Sequence, residues 1–194
     1  MGKIAVMVGC HDRPFVDGHW QEDYIRERIQ EHFPNKKAEI ETVDIMPGGD
    51  REGDIFNYDK NQEDPTNFSG MNHNEFDMIF LPDCGGVWFV VQESGRGTEH
   101  AEETLVHVLN APLKMLKPGG YLYFSKILNE NNRLSETNLD MMQIFLDSLY
   151  PGRDLILSKA PGFFLEGGYQ VPYYQIHYMN SKERTTVNLK GYCF

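Results

Sequence analysis

The residues able to do chemistry collect in short polar stretches that follow apolar runs. Ile4 to Val8 is followed by Gly9, Cys10, His11, Asp12, Arg13 and Pro14. Phe76 to Leu81 is followed by Pro82, Asp83, Cys84, Gly85 and Gly86. A third run, Ala38 to Ile45, carries Asp44 at its end. Cys10 beside His11 invites a nucleophile reading, since a thiolate at a helix N-terminus is activated. A phosphate-cradling thiol loop needs an arginine after several backbone donors, and Arg13 followed by Pro14 does not supply that spacing. Cys10 therefore reads better as a small packed residue. His11 and His73 are candidate general bases for an acceptor hydroxyl. His100, Glu103 and His107 stand three and four apart and share one helix face, the spacing of a metal trio. That face lies opposite Leu105 and Val108, where solvated side chains belong, so no metal is expected.

These groups need a scaffold, and the pattern supplies one. Lys3 to Val8 reads as the first strand. Trp20, Tyr24, Ile25, Ile29 and Phe33 recur at helical spacing, and Pro34-Asn35 ends that helix. Ala38 to Ile45 is the second strand, with Ile40 and Thr42 inward. Residues 46–75 are rich in Gly, Asp, Asn and Pro; one short strand is expected near Asp54-Ile55-Phe56, with a surface loop from Tyr58 to Asn74. Phe76 to Leu81 suits a strand buried on both faces. A crossover helix is expected from about Thr98 to Leu116, capped by Thr98 and interrupted near Pro112. Lys117-Pro118-Gly119-Gly120 reads as the turn that stops it, and Tyr121 to Ile127 as the next strand. Leu139, Met142, Phe145, Leu146 and Leu149 mark another amphipathic helix, ended by Pro151-Gly152, with a short strand over Arg153 to Lys159. Tyr173 to Met179 and Thr185 to Cys193 alternate as an antiparallel hairpin around Asn180 to Glu183. The fold class is α/β: a Rossmann-like, mostly parallel sheet flanked by helices, with an antiparallel C-terminal hairpin, in a single domain over 1–194.

Composition narrows the partners. The chain has 29 acidic against 18 basic residues, a formal net charge of −11. Bulk nucleic acid is disfavoured, because binding it needs clustered Lys and Arg. The cysteines Cys10, Cys84 and Cys193 are widely spaced and form no CxxC pair. The opening apolar run is too short for a signal peptide or a membrane span, so a reducing, cytoplasmic setting is expected.

The order of these pieces resembles the class I S-adenosylmethionine-dependent methyltransferases, whose sheet has seven strands, parallel except for the last. The resemblance covers most of residues 3–128. Its most specific part is Phe76 to Asp83 followed by Leu116-Lys117-Pro118-Gly119-Gly120-Tyr121-Leu122-Tyr123-Phe124, which is similar to the family's fourth-strand motif and its turn into the fifth strand. Val8-Gly9-Cys10, Glu41 to Ile45 and Gly53-Asp54-Ile55 are weaker matches.

The resemblance implies S-adenosylmethionine as cofactor and a set of contacts. Gly9 and Cys10 would pass close to its methionine and ribose portion. Asp44 would accept from the two ribose hydroxyls, and Asp54 from the adenine amino group. Ile45 and Ile55 would pack on the ring. Asp83 would lie beside the transferring methyl or the acceptor, with His11 as the base. The implied acceptor is a small molecule, a sugar or a protein side chain. Trp88 and Phe89, after Gly85-Gly86, line an acceptor pocket or cap the core. The first loop has one glycine where the family has several, and Asp44 lies further from it than is usual there. Two functions therefore stand side by side: methyl transfer, or a non-catalytic binding or structural domain on the same fold.

Overall fold

The computed structural model describes residues 2–8, 20–34, 37–44, 50–52, 74–81, 109–125, 136–166 and 169–180. Among them are seven strands: β1 (Gly2–Val8), β2 (Ala38–Asp44), β3 (Arg51–Glu52), β4 (Phe76–Leu81), β5 (Leu116–Ser125), β6 (Leu155–Glu166) and β7 (Tyr169–Tyr178). Three helices accompany them: α1 (Trp20–His32), α2 (Asn110–Met115) and α3 (Glu136–Leu149). The strands form one sheet in the order β3-β2-β1-β4-β5-β7-β6. The pairs β1–β2, β1–β4, β2–β3 and β4–β5 are parallel, and β7 runs antiparallel to both β5 and β6. This is the Rossmann-like, mostly parallel sheet expected, with only the last strand reversed.

Two apolar layers cover the two faces. On one, Ile79 and Leu81 of β4, Leu122 and Phe124 of β5, and Tyr174 and Ile176 of β7 meet Leu113 of α2 and Leu139, Met142 and Leu146 of α3. On the other, Ile4, Met78, Phe80, Tyr123 and Tyr173 meet Tyr24, Ile25 and Ile29 of α1. β4 is apolar at five of its six positions because it needs side chains for both layers; Asp77 is the exception. Each fully buried side chain of this kind stabilises by about 1.5–3 kcal/mol.

The helix expected over Leu139 to Leu149 forms, but its apolar stripe is narrower than the sequence suggests. Leu149 is 40 % exposed, and Met141 and Ile144 lie on the outer side. Gln143 fastens α3 to the sheet: its amide nitrogen donates to the Leu155 carbonyl at 2.7 Å, and its amide oxygen accepts from the Leu157 N–H at 2.8 Å. Pro112 does not kink α2. The helix starts at Asn110, so the proline occupies the first turn, where its missing N–H removes no helical bond. The remainder of the expected crossover helix, 98–108, lies outside the described residues.

Lys117 to Gly120 keeps the left-handed glycine of a turn, with Gly119 at φ 86, but lies inside β5 as an irregularity of its ladder and not before the strand. Phe76 pairs with Leu116 and Met78 with Tyr121, so residues 117–120 face Asp77 alone. The Asp77 carboxylate accepts from the Lys3 backbone N–H at 2.8 Å and from Lys117 Nζ at 2.8 Å, which holds the bulge in place. The hairpin is also different. β7 pairs with β6 from Leu155↔Tyr178 to Glu166↔Tyr169, and its other edge is taken by β5. Thr185 to Cys193, the partner expected for this strand, lies outside the described residues. The short strand over Arg153 to Lys159 is in fact the twelve-residue β6, bulged between Lys159 and Phe163. A third strand is described at Arg51–Glu52, and Asp54 to Phe56, where it was expected, lie outside the described residues.

Candidate functional site

Parallel register brings the strand ends to one edge. Val8 pairs with Asp44, and Asp44 with Glu52. Val6 pairs with Phe80, Leu81 with Phe124, and Ser125 with Tyr173. The carboxyl ends of β1 to β5 therefore align. Strand order reverses between β1 and β4: the chain goes outward from β1 to β2 and β3, then returns to the far side of β1 as β4. In open parallel sheets the crevice outside the carboxyl ends at such a reversal is where ligands bind. Val8 and Leu81 flank it, and Asp44 is one strand away.

Of the residues singled out from the sequence, Asp44 is placed: it is the last residue of β2. Gly9, Cys10, His11, Ile45, Asp54, Ile55 and Asp83 lie outside the described residues, as do His73, Trp88, Phe89, His100, Glu103 and His107. Val8, Asp44 and Leu81, the last described residues before these segments, are at the shared edge. Among the described residues no group of three His, Cys, Asp or Glu side chains could hold a metal ion.

Two features of this edge escaped the sequence reading. The first is Glu52, paired in register beside Asp44, which puts two acidic residues on adjacent strand ends. The second joins β2 to β3. Asp50 Oδ2 accepts from the Thr42 backbone N–H and from Thr42 Oγ1, each at 2.8 Å, and Thr42 Oγ1 accepts from the Asp50 N–H at 3.0 Å. Donation from the Thr42 backbone, then from its hydroxyl, holds the Asp50 carboxyl below the usual carboxylate range. The signal in the sequence was faint: Asp50 follows Pro47-Gly48-Gly49, and only register shows that it lands beside Thr42.

The opposite half of the sheet carries polar groups of another kind. Lys3 Nζ contacts Glu41 Oε1 at 3.1 Å and also Glu75 Oε1. Burial alone would lower the Lys3 ammonium, but the two carboxylates outweigh it and raise it. His32, the last residue of α1, has Nε2 2.8 Å from Tyr123 Oη, and its ring lies 4.1 Å from that of Tyr121, tilted by 30°. Tyr121 stacks in turn on His177 at 4.2 Å. Burial is the main cause that lowers the His32 pKa. An open groove beside α1, lined by Ile29, Phe33, Ala38 and Ile40 among others, is also remote from the carboxyl edge.

Solved structures supply the comparison. The chain is similar to the CurJ carbon methyltransferase, with a TM-score of 0.50 and 13% identity, over 92% of this chain and 49% of that one. It spans about half of that protein, and the whole chain's activity is not carried over with the half. The fold is that of the class I methyltransferases. Likeness of lower degree extends to the N-methyltransferase NodS from Bradyrhizobium japonicum WM9 (TM-score 0.44, 13% identity, 92% of this chain and 87% of that one). It extends also to the antibiotic-resistance methyltransferase Kmr (TM-score 0.46, 10% identity, 93% and 87%). No family model matches the chain, and no curated protein does.

Proposed function

We propose that this protein transfers a methyl group from S-adenosylmethionine to a small-molecule, sugar or protein acceptor. One observation carries the reading: in a class I methyltransferase sheet, Asp44 ends β2 beside Val8, one strand from the reversal between β1 and β4. The fit is chemical as well as topological. A carboxylate at that strand end is the natural acceptor for the two hydroxyls of a ribose. The sulfonium of the cofactor supplies an electrophilic methyl carbon. The chain's part is to bind, orient and deprotonate. Asp44 holds the ribose. Gly9 and Cys10 pass along the methionine side, and a glycine at the first position leaves room for backbone approach. Ile45 and Ile55 would pack on the adenine, and Asp54 would accept from its amino group. Asp83 faces the methyl and the acceptor, and His11 takes the acceptor's proton. Positioning of donor and acceptor supplies most of the rate in such an in-line displacement.

The similar CurJ structure is a carbon methyltransferase, which supports methyl transfer in general. The acidic balance of this chain favours an acceptor other than bulk nucleic acid. A cytoplasmic setting and a single domain belong to the same proposal. Among the described residues no helix is long and apolar enough to cross a membrane.

Calorimetric titration with S-adenosylmethionine and S-adenosylhomocysteine tests the reading. Saturable binding is expected, weakened at least roughly ten-fold in Asp44→Ala, since two charge-assisted hydrogen bonds are removed. Absence of binding at millimolar ligand would assign the domain to a non-catalytic role.

A further inference from the structure

The reciprocal pair Thr42–Asp50 lies between the two stretches that the proposed adenosine site draws on. β2 continues from Thr42 to Asp44, and β3 is only Arg51–Glu52. Val43 pairs with Arg51 and Asp44 with Glu52. Extending that register back by one residue sets Asp50 opposite Thr42. A regular strand would offer a backbone carbonyl to the Thr42 N–H there. Instead the Asp50 carboxylate takes it at 2.8 Å, and the same oxygen takes the Thr42 hydroxyl at 2.8 Å. The third bond returns from the Asp50 N–H to Thr42 Oγ1 at 3.0 Å. A two-residue strand has little ladder of its own, so these three bonds, two of them charge-assisted, determine where it sits. Asp50 is exposed and covers no core, so the pair adds little to the packing of the domain.

We infer that Asp50 is a positioning residue for the cofactor: through Thr42 it fixes β3 against β2, and so sets the register that pairs Glu52 with Asp44. This rests on the reading of the carboxyl edge as an S-adenosylmethionine site. The depressed Asp50 carboxyl keeps the clamp ionised, and the clamp intact, across the neutral range. Its contribution is fully present above the ordinary carboxylate pKa and is lost as pH falls through the lower folded value.

The test is a set of calorimetric titrations with S-adenosylhomocysteine on the full chain and on Asp50→Ala, Thr42→Val and Thr42→Ser, each checked for folding by circular dichroism. Asp50→Ala removes the carboxylate, and Thr42→Val removes the hydroxyl with little change of shape. Thr42→Val is expected to weaken binding about ten-fold, the worth of one lost charge-assisted bond, and Asp50→Ala, which removes both, by at least as much. Thr42→Ser keeps the hydroxyl and is expected to restore wild-type affinity, which a purely packing role for the threonine methyl would not do. If wild type binds and Asp44→Ala does not, while Asp50→Ala and Thr42→Val bind like wild type, the positioning role is wrong and the adenosine site stands. If wild type itself does not bind, both readings fall together.

Discussion

The two ends of the sheet solve opposite problems. At the amino end, charges are closed on one another: Lys3 meets Glu41 and Glu75, and Asp77 takes the Lys3 N–H and the Lys117 ammonium. Opposite charges within hydrogen-bond reach across four strands make that end self-sufficient. At the carboxyl end, Asp44 and Glu52 stand side by side on adjacent strands. Like charges directly opposite one another weaken a strand pair, so a sequence optimised only for stability would not choose them. The comparison teaches that one end is arranged to hold the sheet, and the other is the end on which the proposed cofactor site draws. Substitutions at the first should cost stability, and substitutions at the second should cost binding.

The sharpest way to break that division is at the bulge. A Cβ added to Gly120 would lie 2.7 Å from the Asp77 carbonyl oxygen and 2.8 Å from that of Lys117. Both are backbone atoms and cannot step aside. Gly120→Ala should cost about 3 kcal/mol in chemical denaturation, at the upper end of overpacking penalties. Asp77→Ala comes next. It removes the acceptor of the Lys3 N–H and of the Lys117 ammonium, for a loss of about 1–2 kcal/mol by the same measurement. Neither variant should change affinity for S-adenosylhomocysteine by as much as Asp44→Ala does; an equal loss would erase the distinction between the two ends.

The smallest expected effect is on pH. Burial lowers the His32 pKa, so the unfolded chain takes up the proton more readily than the folded one. Stability should then be full above the ordinary histidine range and decline as pH falls through it, roughly from 7 to 6. Glu31 opposes this shift, while Arg28 and His177 reinforce it. Melting temperatures of wild type and His32→Gln, measured across that window, should converge towards the acid side. Parallel curves would show that the ring cluster of His32, Tyr121 and His177 does not sense protons.

Most of the frame was legible in the sequence because burial on both faces leaves a plain mark. Ile4, Met78, Ile79, Phe80 and Leu122 are buried residues of short apolar runs, and such runs become central parallel strands. Alternation in β7 was legible for the same reason: Tyr174 and Ile176 face one layer and Tyr173 the other. What misled was local chemistry that tertiary contacts overrode. Lys117-Pro118-Gly119-Gly120 has the composition of a turn and Gly119 has the φ of one, yet the stretch interrupts β5 and does not precede it, with Lys117 donating to Asp77, forty residues away in the chain.

For the site, residue types were readable and neighbours were not. The sequence by itself determined that Asp44 stands at the end of the second strand, because the alternating run from Ala38 gives way there to Pro47-Gly48-Gly49. Only the tertiary structure decided that Glu52 stands next to it and that Asp50 reaches back to Thr42. Those relations depend on how two strands slide along each other. Register is settled by many weak contacts across the whole sheet, and no single stretch of the chain contains it.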